Sequence, residues 1–532
     1  MNRWLSRANA RVSLSSAALL LVVAALFGQV LGFMRLQIIN ANFPAVGPAS
    51  TDAYFAAFKI PDFFFYTIAA GALGVAFMPF LADKLEKGDK KSIWGLTSSL
   101  LNLMGIIMAV IGVFLFVFAE QLIKLVISND LSPEHLHNAT TIMQIVALNP
   151  LLFTISGILT SLQQTFGRFF FYALAPITYN LCIIISVYVF KDNIGIVGLG
   201  IGALAGAILQ LLIVLLGLWG MKFRYRPSIN FANYDFRRIL RQLPPRSIDQ
   251  GIDSINSIVE TNRARTLGVG NITFYENAYA LHSAPTLLVG TAISTAAFPR
   301  LNQRLSQGRP DLFRRDFVQV FRAILWIILP MVVIGFFARG YLARLIFKRD
   351  APEIALIFGF LAGAILFRTL YTIISRWFYS HKDTKTPLFV SLFAIALNVY
   401  LAFTLARPTE SGGYDIAGLA MAQSIVATAE VFILMLVISW RDHHIFNRDF
   451  WSGIVRVLSV TGFTILTTYT MVSILPLSVE DSGFITLGTK LLLIVIPTFV
   501  VHITISSLFG LEEVRPVTKK IRSIVFRPVR IQ

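Results

Sequence analysis

About fourteen apolar blocks, most of them near twenty residues long, alternate with short polar connections along this chain of 532 residues. A bilayer-spanning helix needs about twenty apolar residues. The blocks therefore predict spans at approximately 12–35, 52–83, 93–119, 138–165, 169–190, 195–221, 243–267, 272–299, 313–338, 353–380, 386–406, 414–440, 451–475 and 483–510. The expected class is an all-α polytopic membrane protein.

Two spans depart from a uniform apolar pattern. The second begins with Asp52, carries Lys59, is interrupted by Pro61, Gly71, Gly74 and Pro79, and runs into the charged cluster 83–91. Breakers are tolerated at membrane depth where protein or a water-filled cavity satisfies the freed backbone groups, so this span reads as the wall of a polar cavity. In the seventh, Asp249, Asp253, Asn256, Glu260 and Arg263 recur at intervals of three and four, which places them on one helical face. Two readings of that stripe stand side by side. It is either an ion or headgroup pathway whose acids hold Na⁺ or H⁺, or a packing network neutralised by Arg246, Arg263 and Arg265.

The chain also repeats itself. AFMPFLADKLEKG (76–88) and AAFPRLNQRLSQG (296–308) share Pro, Leu, Leu and Gly at an offset of 220 residues. Segment 166–180 pairs with 379–393, and 195–204 with 414–423, in the same order. Two pseudo-symmetric six-helix lobes are expected, 1–221 and 243–441, joined by a basic linker at 222–242. Helices 13 and 14 (442–510) and a basic tail (511–532) are appended. Repeats of equal orientation imply an axis along the membrane normal and a site between the halves.

Composition agrees with this class: 56% of residues are hydrophobic and 14% charged, with a mean hydropathy of +0.70. A soluble chain would carry about a quarter charged residues. The net charge of +18 does not point to nucleic acid, because the Lys and Arg excess sits in alternate connections, as the positive-inside rule expects of cytoplasmic loops. Both termini are then cytoplasmic. The loop 339–349, with Arg339, Arg344, Lys348 and Arg349, breaks the alternation. The N-terminal apolar run continues to Phe33 without a small-residue cleavage site, so a retained first span is expected rather than a signal peptide. The one cysteine, Cys182, lies in an apolar block and is expected to be a buried structural thiol.

Catalytic chemistry finds no support. The histidines are scattered, there is no HExxH arrangement and no phosphate-binding GxxxxGK[ST] loop. Gly28 and Gly32 form a GxxxG whose expected meaning is close helix packing. The informative residues are charges at membrane depth, each costing about 2.5–3.5 kcal/mol at the bilayer centre. In the first half these are Arg35, Asp52 and Lys59. Against a role in binding stands the alternative that they merely snorkel to the interface.

GQVLGFMRLQIINANF, TDAYFAAFKIPDFFF and GALGVAFMPFLADKLEKG together resemble the N-terminal signature of the MurJ (MviN) family, within the multidrug/oligosaccharidyl-lipid/polysaccharide exporter superfamily. YSHKDTKTP (379–387) is similar to that family's second signature. The resemblance implies two lobes around a cationic cavity, alternating access, and a groove for a polyprenyl tail built from the last two helices. It implies translocation of lipid II, the peptidoglycan precursor, or a related polyprenyl-pyrophosphate lipid across a bacterial cytoplasmic membrane. Cell-wall synthesis proteins are implied as partners, and no cofactor beyond a coupling Na⁺ or H⁺. Arg35, Asp52 and Lys59 match residues counted as functional in the family. Where the family carries further charges, this chain has Gln29, Phe65, Tyr66, Ala70 and Ala280, and Arg246, Arg263, Arg265 and Arg376 are candidates to compensate. Two other readings remain: export of drugs or of another lipid-linked sugar, and a non-transporting membrane scaffold.

Overall fold

The computed structural model describes residues 14–47, 50–70, 77–129 and 131–519, side chains excepted at 14–19, 22, 70, 242, 244–250 and 252. The described residues contain helices and no strand. By contacts the chain divides into two units, Met1–Thr273 and Phe274–Gln532.

The first unit contains α1 (Leu14–Asn42), α2 (Thr51–Phe64), α3 (Met78–Glu86), α4 (Lys90–Val117), α5 (Pro133–Val146), α6 (Asn149–Thr165), α7 (Phe170–Phe190), α8 (Val197–Gly217) and α9 (Tyr234–Leu267). Helix α10 (Asn271–Pro285) starts at the boundary. The second unit continues with α11 (Ala292–Ser306), α12 (Pro310–Phe337), α13 (Arg339–Ile346), α14 (Ala351–Ser380), α15 (Lys385–Leu405), α16 (Ala417–Arg441), α17 (Arg448–Ile474) and α18 (Phe484–Leu508). Helix α9 begins at Tyr234, inside the stretch assigned to the linker.

Among the described residues, 11 helical segments are long and apolar enough to cross a membrane. The second, seventh and eighth expected spans do not meet that standard. They correspond to α2–α3, α9 and α10–α11, the elements that carry polar side chains and inner prolines.

The repeat is visible in the backbone. Helices α4 and α12 begin and end 220 residues apart. The helices before them close with the same cap: Gly88 (φ 71°) donates to the Leu85 carbonyl, and Gly308 (φ 67°) to that of Leu305, each at 3.0 Å. A positive φ is inexpensive only for glycine, which is why this glycine recurs in the sequence. Both units also place a π-helical turn beside an inner proline. Phe65–Ala70 follows Pro61 and Thr286–Thr291 follows Pro285. A missing N–H breaks the regular ladder there.

In the first unit α8 lies very close to α7. A Cβ added at Gly202 would stand 2.1 Å from Ser186 Oγ, and one at Gly206 3.0 Å from Tyr179 Cδ2. The packing glycines are therefore Gly198, Gly202 and Gly206. The GxxxG of α1 was expected to serve that purpose, but among the described residues a Cβ at Gly28 or Gly32 would meet nothing within 4 Å. Cys182 is half-buried rather than buried.

In the second unit α17 and α18 are joined to α12 by a buried polar ladder. His502 Nδ1 meets Thr464 Oγ1 at 2.8 Å and its Nε2 meets the Trp326 carbonyl at 3.1 Å. Trp326 Nε1 donates to Ser506 Oγ at 2.8 Å. Within apolar surroundings such bonds fix which helices associate, because lipid gives no hydrophobic drive. The basic segment 339–349 is held by protein contacts. Arg339 donates to the Phe336 carbonyl at 2.7 Å and stacks over that ring, and Arg344 donates to the Ser478 carbonyl.

The second signature segment also has a structural task. Asp383 accepts from the N–H groups of Lys385 and Thr386 at 3.0 Å, and from Arg441 Nη1 at 2.6 Å. It thereby caps α15 and ties it to the end of α16. Burial alone would raise the Asp383 carboxyl, but the Thr386 and Arg441 bonds outweigh it and bring it down to about 2 from an ordinary 3.8. A depressed carboxyl contributes stability above its unfolded value and loses it as pH falls through the folded one. Stability is thus expected to decline between about pH 4 and about pH 2. Arg441→Ala should flatten that part of the acid-unfolding curve followed by circular dichroism; superimposable curves would contradict this role.

Candidate functional site

The site expected from α2 is assembled around its N-terminus and its contact with α9. Ser50 caps the helix, its Oγ accepting from the Asp52 N–H at 3.1 Å. Asp52 is buried. Its Oδ2 accepts from the Gly270 N–H at 2.7 Å, and its Oδ1 from the Thr273 N–H at 2.8 Å and from Thr273 Oγ1 at 2.7 Å. Since the Thr273 hydroxyl gives its proton to Asp52, it accepts from Thr51 Oγ1, 2.8 Å away. Arg265 lies within electrostatic reach of the same carboxylate. Asp52 therefore holds the turn that leads from α9 into α10.

Two turns further along α2, half-buried Lys59 donates to Ser257 Oγ of α9 at 2.8 Å. This bond brings the lysine to the polar helix. The tight approach of α9 is made by Gly251, where a Cβ would stand 2.7 Å from Thr67 Oγ1. On α9 the predicted stripe separates into two environments. Asn256 and Glu260 are buried, with Asn256 Nδ2 donating to Glu260 Oε1 at 3.0 Å. Asp253 is exposed and Arg263 and Arg265 are half-buried. The side chains of Arg246 and Asp249 lie outside the described residues.

Arg35 is half-buried on α1, and its Nε is buried with no hydrogen-bond partner. It lies within electrostatic reach of Tyr54 and Tyr179. Asp62, which the sequence reading passed over, acts on the same two tyrosines. The signal was present, because Asp62 follows Lys59 by three positions and shares its helical face. The first unit thus gathers Arg35, Asp52, Lys59 and Asp62 with the stripe of α9. Its polar groups include the Arg35 guanidinium, the Lys59 ammonium held by Ser257, and the Asp52 carboxylate held by Gly270 and Thr273.

Arg376 belongs to the second unit. Its guanidinium lies over the Phe298 ring at 5.0 Å, and Nη2 is 3.4 Å from Thr295 Oγ1. The same unit contains a pair that the sequence reading missed, half-buried Arg368 and buried Glu430, 2.9 Å apart.

The family profile described as lipid II flippase MurJ matches residues 46–494. The chain belongs to the MurJ family. A probable lipid II flippase MurJ of Borreliella burgdorferi is 22% identical over 465 residues, covering 86% of this chain and 88% of that protein. Its counterpart in Buchnera aphidicola subsp. Acyrthosiphon pisum is 25% identical over 445 residues, covering 82% and 86%. Among solved structures, a lipid II flippase MurJ in an inward closed conformation superposes with a TM-score of 0.74 at 22% identity, covering 92% of this chain and 98% of that one. An inward-facing multidrug resistance MATE transporter gives a TM-score of 0.65 at 14% identity over 78% and 96%. The MurJ fold is thus shared across nearly the whole length, and the MATE structure is similar in fold over 78% of the chain.

Proposed function

We propose that this protein is a lipid II flippase, carrying the polyprenyl-pyrophosphate-linked peptidoglycan precursor from the inner to the outer leaflet by alternating access. The observation that carries the reading is the family match over residues 46–494. The chemistry of the first unit supports it. A pyrophosphate headgroup is anionic and too polar to cross hydrocarbon unaided, since burying an unpaired charge is prohibitive. Arg35 has a buried Nε–H without a partner, and Lys59 adds an ammonium; both suit phosphate oxygens. In this reading they replace water around the phosphates, and Asp52 positions the helix that presents them. Arg263 and Arg265 of α9 supplement the cation set. The polyprenyl tail stays apolar throughout, along α17 and α18.

The cycle draws on the membrane potential or on an ion gradient sensed by Asp253, Asn256 and Glu260. Each charge moved across 100 mV gains about 2.3 kcal/mol, so a few charges suffice to bias two states. Both termini face the cytoplasm of a bacterial cell, and cell-wall synthesis proteins receive the product on the other side.

The test is replacement of an essential lipid II flippase in depleted cells. The intact chain should restore growth, and Lys59→Ala should reduce it at equal protein level. Lysis with the intact, membrane-inserted chain would remove the reading. Full rescue by Lys59→Ala would remove that lysine from the site.

A further inference from the structure

Glu430 of α16 is 2% exposed, in a helix otherwise apolar enough to cross a membrane. Its Oε2 lies 2.9 Å from Arg368 Nη1 of α14, and its Oε1 accepts from Ser391 Oγ of α15 at 2.8 Å. Ser391 Oγ is in turn 3.2 Å from the Tyr371 hydroxyl, and Arg368 Nη2 lies 3.4 Å from Gln423 Oε1. Three helices therefore converge on the carboxylate, and every neighbouring acceptor is oxygen. Without Arg368 this is the donor set that a hard monovalent cation takes, and an ionised carboxylate left unpaired there would bind such a cation or a proton.

We propose that Arg368 is a tethered counter-cation occupying an oxygen-lined cation site built around Glu430. The guanidinium pairs with Glu430 in place of Na⁺ or H⁺, so the ion response of this protein arises elsewhere in the chain. Substituting Arg368 opens Glu430, Ser391, Tyr371 and Gln423 to Na⁺ or to a proton. Among the described residues, charged and titratable groups facing Glu430 include Arg368 and Tyr371. Tyr379 acts on Tyr371, and His282 of α10 acts on Arg368. His282 is 4% exposed, so its imidazole is a second source of an acid response, and the experiment has to separate the two.

The readout is thermal unfolding of the purified full-length protein, which holds or fails independently of lipid II transport. It is measured in NaCl and in choline chloride of equal ionic strength, at neutral and mildly acidic pH. Arg368→Met should gain a stabilisation by Na⁺ or by acid about 2–4 °C larger than that of the wild type. Arg368→Lys should behave as the wild type. Arg368→Met with Glu430→Gln should lose the gained response, because the carboxylate that creates it is absent. A response in Arg368→Met no larger than the wild type's would overturn the proposal. So would a gained response that survives Glu430→Gln, which would assign it to His282. Should Arg368→Met fail to fold, the wild type and Glu430→Gln alone decide. Equal Na⁺ and pH responses support the tethered cation, and a response lost with Glu430→Gln means that Glu430 already binds an inorganic ion.

Discussion

Arg35→Ala is expected to abolish rescue of cells depleted of their lipid II flippase while leaving protein level and helix content unchanged. Arg35 is half-buried, and its buried Nε–H has no partner. Removing it therefore breaks no hydrogen bond at that atom, and the fold should tolerate the change. What disappears is a charge-assisted contact to phosphate, worth about 1.5–3 kcal/mol, or roughly 10–150-fold in headgroup affinity. Arg35→Lys should restore only part of the activity, because an ammonium cannot reproduce the planar fork. Growth with Arg35→Ala equal to the wild type would remove the guanidinium from the binding role.

Asp52 is expected to behave in the opposite way, with a loss of stability that precedes any loss of transport. Its carboxylate takes three donors at once: the N–H groups of Gly270 and Thr273 and the Thr273 hydroxyl. Asp52→Asn keeps the shape, but one oxygen becomes an NH₂ that must face another donor. Asp52→Ala leaves two buried N–H groups unpaired. Each such group costs about 1–3 kcal/mol, so a destabilisation of about 2–5 kcal/mol is expected for either variant. It should appear as a lower unfolding temperature and as faster proteolysis at the turn between α9 and α10. Variants that unfold with the wild type would show that the three bonds contribute nothing net.

The sequence revealed most of the fold because its determinants are local. Blocks of apolar residues announce spans, and the glycines at 88 and 308 announce matching caps, since only glycine adopts that backbone cheaply. The polar second and seventh spans were recognisable for the same reason. Other features depend on partners distant in the chain. Arg368 and Glu430 each look like an isolated charge in an apolar helix, and only the packing of α14 on α16 makes them a pair. Two glycine rows of the same spacing, at 28–32 and at 198–206, differ in what lies opposite: nothing among the described residues in one case, α7 in the other. Asp52 shows the same limit. Its identity as an acid at the start of a span was plain, but its service to Gly270 and Thr273 lies more than two hundred residues away.

The central claim is that this chain moves lipid II between leaflets using Arg35. It is tested most directly by reconstituting the purified protein in vesicles whose fluorescent lipid II begins in one leaflet, and following its exposure to a membrane-impermeant quencher. The account predicts exchange well above protein-free vesicles for the wild type and near their level for Arg35→Ala. Exchange by the wild type no faster than in empty vesicles, or equal exchange by both proteins, would contradict it.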